Sequence, residues 1–274
     1  MLANLDNEVH FKNVFTDVEV FQALVKDVLN VDIRVKKVET EKVLPNKISP
    51  IKFRMDLFAE DEERRTVVEI QKVDYDYNYD RFLHYFLANL IDMQKSSRTY
   101  EFAKEVFIIV VVTSAYKISD KNGKPIKEDV MLTDLNPRNL KDEVIEMHEH
   151  KMIILNTEYV NKDTHPPIKD WMDLIKESRN NPEHPNINTS KKAIARAANL
   201  AAINNLSPEE LAEAKEEEMR KITVSMIESE SIKNEKNTRI LKSLRQVVLT
   251  IEQIADIFEV SIDYVEKIAK KENL

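Results

Sequence analysis

The 274-residue chain reads as an α/β protein, a mixed central sheet flanked by helices, with a helical C-terminal region. Three observations predict this. An apolar stripe at helical period opens the chain: Phe11, Val14, Phe15, Val18, Phe21, Leu24, Val25 and Val28. Alternating and continuous apolar runs of the kind that form strands follow, between residues 34 and 155. From residue 191 onward the sequence is helical in texture, with a single proline, Pro208.

The elements follow in order. The first stripe is interrupted by the polar Asp17, a natural break between two helices. Residues 34–43 alternate apolar and charged and read as a strand or strand pair. Residues 52–58 alternate too, and after the polar Asp61-Glu62-Glu63-Arg64 comes Thr66-Val-Val-Glu-Ile-Gln71; together these predict a β-hairpin. Phe82, Tyr85, Phe86, Asn89 and Leu90 give residues 80–90 helical spacing. The continuous run Val-Phe-Ile-Ile-Val-Val-Val at 106–112 fits a strand buried on both faces. Asn122-Gly123 signals a turn, and residues 152–155 form a short candidate strand. Pro166-Pro167, Pro182 and Pro185 mark a loop-rich stretch. Ser207-Pro208-Glu209-Glu210 and Thr250-Ile251-Glu252-Gln253 are helix-start signatures, with a hydroxyl cap and an acid or amide three residues later. The expected organisation is a domain over 1–165, a linker over 166–190, a helical extension over 191–248 and a two-helix tail over 249–274.

Composition removes several chemistries. No cysteine is present, which excludes disulfides, thiolate zinc sites and thiol catalysis. One glycine, Gly123, leaves no multi-glycine phosphate cradle. The net charge of −8 argues against nonspecific DNA coating, though not against a local basic groove. No apolar run approaches the ~18–20 residues of a membrane helix, and residues 1–15 carry polar groups where a signal peptide would be apolar; the expectation is a cytoplasmic protein with no membrane partner.

The hairpin carries the candidate chemistry. With its turn centred between Glu62 and Glu63, Asp56 faces Glu69 directly, with Cβ atoms about 4.5–5.5 Å apart. Gln71 lies on the same face, two residues on. Phe53, Met55 and Leu57 are expected to bury the opposite face, and Val67, Val68 and Ile70 to hold the second strand in a core. Facing like charges destabilise a sheet, and a divalent cation removes that penalty because hard cations take carboxylate and amide oxygens. The competing reading, in a chain with 49 acids, is a solvated sheet face that carries carboxylates by chance; a one-residue slip in the turn would break the pairing.

Asp56 followed by Glu69-Ile70-Gln71 resembles the Asp…Glu-x-Lys signature of PD-(D/E)XK nucleases, in a Glu-x-Gln form. More specifically, the chain resembles the Rpn family of recombination-promoting nucleases, the PD-(D/E)XK nuclease family transposases. The likeness runs through Glu8-x-x-Phe11-Lys12-x-x-Phe15, Arg54-Met55-Asp56, Val68-Glu69-Ile70-Gln71, Arg81-Phe82-x-x-Tyr85 and Tyr100, and covers about residues 1–165 plus a helical tail of the family's style. Two departures are Ser97, where the family commonly has glycine, and Gln71, where the superfamily has lysine. The resemblance implies a restriction-endonuclease-like core and metal-assisted phosphodiester hydrolysis of DNA, in recombination or mobile-element activity. It implies Asp56, Glu69 and Gln71 as catalytic residues, and Asp56 and Glu69 as ligands of Mg²⁺ or Mn²⁺ with Glu8 as a further candidate from the first helix. Arg81, Tyr85 and Lys72 are then substrate-binding candidates. Without the lysine, catalysis leans on the metal or on another cation. The alternative is a catalytically weak nuclease fold serving as a nucleic-acid-binding or protein-interaction module.

Other signals point less far. His148-Glu149-His150 has the spacing of a strand-borne metal pair, but no third ligand is apparent in the sequence, and a surface strand edge is expected. Trp171 is expected to pack against the linker region. The tail from Gln253 to Val265 resembles a helix-turn-helix, with Glu259 where glycine is usual in the turn. Asp263 and Glu266 oppose phosphate contact, so a packing element or a homo-oligomer contact is favoured for the C-terminal region over DNA readout.

Overall fold

The computed structural model describes residues 1–44, 54–71, 79–93, 101–116, 119–246 and 249–271, and the chain divides into two units, Met1–Ala214 and Lys215–Leu274. The first unit opens with α1 (Glu8–Phe15) and α2 (Val18–Leu29). The break falls at Asp17, whose carboxylate caps α2 by accepting the N–H groups of Glu19 and Val20, each at 3.1 Å. The stripe of Phe11, Phe15, Phe21 and Leu24 is fully buried.

Among the described residues six strands form one sheet: β1 (Glu39–Val43), β2 (Arg54–Glu60), β3 (Arg64–Gln71), β4 (Glu105–Val112), β5 (Val130–Asp134) and β6 (Lys151–Asn156), in the order β1-β2-β3-β4-β6-β5. β1, β2 and β3 run antiparallel; β3, β4 and β6 run parallel; β5 closes the edge antiparallel to β6. Connection length dictates this mixture. The tight turn between β2 and β3 permits only antiparallel pairing, whereas the chain passes through α3 (Tyr79–Asp92) before β4, the crossover that a parallel pair needs.

β4 lies at the centre and is buried on both faces. Phe107, Ile109 and Val111 join the core made with α1 and α2, and Val106, Ile108, Val110 and Val112 join the core under α3. Each such side chain contributes roughly 1.5–3 kcal/mol of transfer free energy. Gly123, at φ +80°, fills the predicted turn, where Asp120 Oδ1 accepts from Asn122 and Lys124 N–H.

Three stretches differ from expectation. Residues 34–38 are not strand: Ile33 and Val35 are both buried, and Arg34 N–H donates to Asp61 Oδ2 at 3.0 Å, so pairing starts only at Glu39. β5 was not expected; its Val-Met-Leu-Thr-Asp sequence lacks clean alternation because it is a partly exposed edge. Much of the expected linker is α4 (Pro166–Asn180), with Pro166 in the first helical turn where its missing N–H costs nothing. Trp171 of α4 packs on Phe15 and donates Nε1–H to Asp27 at 2.6 Å, so it belongs to the core rather than to a linker. α5 (Lys192–Leu200) completes this layer with Ile194 and Ala197.

α6 (Pro208–Gln246) begins at a capping box between Ser207 and Glu210 and continues into the second unit. There α7 (Ile251–Ile257) starts at a second capping box, Thr250 with Gln253, and α8 (Ile262–Lys271) follows. Ile240, Ile254, Ala255 and Val265 form a small core lined by Ile251, Phe258 and Ile268. Glu259 adopts φ +49°, the left-handed conformation for which glycine is preferred at such a turn. No helix among the described residues is long and apolar enough to cross a membrane.

Candidate functional site

The β2–β3 register is Leu57↔Val68, Phe58↔Val67 and Ala59↔Thr66, the register that sets Asp56 opposite Glu69. Among the described residues the ladder ends there, and the two acids take over. Asp56 N–H donates to Glu69 Oε1 at 3.1 Å, and Ile70 N–H donates to Asp56 Oδ2 at 3.0 Å. Each carboxylate replaces a main-chain acceptor on the facing strand, so the hairpin's own backbone aims both groups. The same splay corrects one expectation. Met55 does not share a face with Leu57: it joins Phe58, Phe82 and Phe86 under α3, while Leu57 stays in the α1–α2 core. Phe53 lies outside the described residues.

Glu69 is 4% exposed, and Asp56 is partly buried, its side chain 16% exposed. Burial first, then the charge of Glu8, pushes Asp56 up to about 6. Burial, then the charge of Asp56, raises Glu69 well above the usual carboxylate range. Two acids that resist ionisation side by side need a shared proton or a cation.

Beside the pair, Gln71 Oε1 accepts from Arg81 Nη1 at 3.0 Å. Arg81 Nε donates to Tyr85 Oη at 3.2 Å, and its guanidinium lies 5.6 Å from the Tyr85 ring centroid. One turn of α3 therefore delivers both residues, and the Arg81 charge favours the ionised forms of Asp56 and Glu69. Tyr85 is also a core residue, 8% exposed. Asp56, Glu69, Gln71, Arg81 and Tyr85 are thus brought together. Lys72, Ser97 and Tyr100 lie outside the described residues.

Glu8 lies in a second carboxylate group with Glu41 and Asp56, their oxygens within 4.8 Å of one another. Lys12 sits among them, with Nζ 2.5 Å from Glu8 Oε1, in contact with Glu41, and 3.7 Å from Asp56 Oδ1. Glu41 reaches this position from within β1 at φ +55°, a conformation that is costly for a side chain of its size. Sequence reasoning missed Glu41 and the charge of Lys12. The i, i+4 spacing of Glu8 and Lys12 was an available signal; nothing in the alternation of β1 marks Glu41.

The donors are hard carboxylate and amide oxygens around buried, mutually repelling acids, which suits a cation of the Mg²⁺ class. A family model described as PD-(D/E)XK nuclease family transposase matches residues 6–230, a span that contains every residue of this site. No curated protein and no solved structure matches the chain.

Proposed function

The chain belongs to the PD-(D/E)XK nuclease family transposases, and from that premise we propose that it is a divalent-metal-dependent DNA endonuclease centred on Asp56 and Glu69, serving DNA recombination or mobile-element activity. The observation that carries this reading is the buried acid pair, each member fixed by a main-chain N–H of the facing strand or its neighbour. Asp56 and Glu69 would hold Mg²⁺ or Mn²⁺, with Glu8 and Glu41 adding negative charge from the Asp56 side. When bound, such an ion lowers the pKa of a coordinated water and offsets charge on the phosphate.

The other groups supply what the superfamily lysine would. Gln71 carries no charge, but its amide can orient water or a phosphate oxygen. Its oxygen is tied to Arg81, so a permanent positive charge stands beside the position where lysine is expected. Tyr85 orients that guanidinium. Lys12 brings a second cation from α1 to Asp56. Charges held in place beside the acids stabilise developing phosphate charge with little reorganisation. Lys72 is proposed as a phosphate contact from its place next to Gln71 in the sequence.

Nicking of supercoiled plasmid by purified protein tests the reading. Nicking that requires Mg²⁺ or Mn²⁺ and is lost in Asp56→Ala supports it. Equal nicking by both proteins, or none by a folded wild type with bound metal, overturns it, and the latter favours the binding-module alternative.

A further inference from the structure

His148 and His150 are not a bare surface edge. His150 is fully buried, and the third ligand that the sequence did not reveal is Glu105 at the start of β4. Ligand atoms of Glu105, His148 and His150 all lie within 4.8 Å of one another. β4 pairs with β3 through Arg64↔Glu105 and Glu69↔Val110, so this cluster stands five strand residues, roughly 16 Å at ~3.3 Å each, from the acid pair.

The cluster is built rather than incidental. Asn136 Oδ1 accepts the N–H groups of Met147 and His148 at 2.8 and 3.0 Å, and Asn136 Nδ2 donates to the His148 carbonyl at 3.0 Å. Glu105 Oε2 accepts Glu149 N–H at 3.1 Å. The imidazoles stack at 4.9 Å, and Phe102 packs edge-on against both. Two features call for a further group. His150 Nε2 is buried with no hydrogen-bond partner among the described residues. Its Nδ1 lies 3.0 Å from Val106 N and 2.6 Å from Glu105 Oε2, and the second contact needs either a proton on Nδ1 or a cation held between the two groups.

We propose that Glu105, His148 and His150 hold a transition-metal ion of the Zn²⁺ class, at a site separate from the Asp56–Glu69 pair. Two imidazoles and one carboxylate are a ligand set that zinc accepts, with a position left for water or another group. Imidazole nitrogen disfavours Mg²⁺, so the two sites differ in the ions they select. Residues 137–149 are exposed, so the ion has a path from solvent. Its effect is to tie the start of β4 to the segment entering β6.

The test uses the full chain without a histidine tag, stripped by chelator and then titrated with Zn²⁺, and with Co²⁺ as a visible-absorption probe. Wild type is expected to bind one equivalent that excess Mg²⁺ does not displace. His148→Ala, at an exposed position, and Glu105→Gln should each weaken binding, the former by more than about 100-fold, the upper range for loss of an outer partner alone. Asp56→Asn should bind Zn²⁺ as wild type does. A wild type that binds no Zn²⁺, a His148→Ala protein that binds as tightly as wild type, or loss of binding in Asp56→Asn would each overturn the proposal. His148→Ala should match wild type in thermal midpoint with chelator present and lose the rise that Zn²⁺ gives wild type.

Discussion

Replacing Asp56 by Asn should stabilise the metal-free protein at pH 8 while destroying its response to Mg²⁺. In the fold Asp56 is held up at about 6, against an ordinary 3.8, by burial and by Glu8. The folded state therefore binds more protons than the unfolded state between about pH 4 and 6, and stability falls as pH rises through that window. Above about pH 6 the cost is fully expressed, up to about 3 kcal/mol at 1.36 kcal/mol per pH unit. Asn retains an oxygen to accept Ile70 N–H but loses a charge-assisted bond, which costs about 1 kcal/mol. The net gain is about 2 kcal/mol, or roughly 4–8 °C for a unit of this size. Scanning calorimetry with chelator at pH 8 and pH 4.5 measures it, with the gain expected to vanish at pH 4.5, where Asp56 is largely protonated. In Mg²⁺, wild type should rise and Asp56→Asn should not. An Asp56→Asn protein no more stable than wild type at pH 8, or one whose advantage is equal at both pH values, would refute the buried-charge argument.

Three further outcomes are expected. Arg81→Met should slow plasmid nicking by about 10²-fold, the scale for loss of one fixed charge-stabilising donor, with its thermal midpoint little changed; wild-type rates would remove Arg81 from the reaction. Lys12→Met should bind Mn²⁺ more tightly, since a competing cation leaves Glu8, Glu41 and Asp56, yet cut DNA more slowly; calorimetry and nicking that both match wild type would leave Lys12 a purely structural ion-pair partner. Val265→Asp should abolish hydrogen-exchange protection across α7 and α8, because it puts an unpaired charge in their small core, while β4 protection and metal affinity persist; protection retained in α7 and α8 would show that this core is not what holds them.

The hairpin was legible because its turn is a charged cluster between two apolar-patterned strands, and a period of two fixes which residues face one another. That placed Asp56 opposite Glu69, and helical spacing placed Arg81 and Tyr85 on one side of α3. Where the strands part was not legible: the pattern 53, 55, 57 assumes an unbroken pleat, and the two carboxylates interrupt it at Asp56. Glu41 was hidden because its left-handed backbone turns it out of the alternation. Glu105 was hidden because it meets His148 and His150 through β4–β6 pairing, 43 and 45 positions along the chain. The α4 helix was masked by the prolines around it, although Pro166 is a helix starter in that position.

The central claim is that Asp56 and Glu69 share one divalent ion. Anomalous diffraction from a crystal soaked in Mn²⁺ tests it most directly. The account predicts a peak within about 2.6 Å, the outer range of hard-cation contacts, of a carboxylate oxygen from each residue, absent after Glu69→Ala. A peak held by Glu8, Glu41 and Asp56 that persists in Glu69→Ala, or no peak near either carboxylate at saturating Mn²⁺, would contradict it.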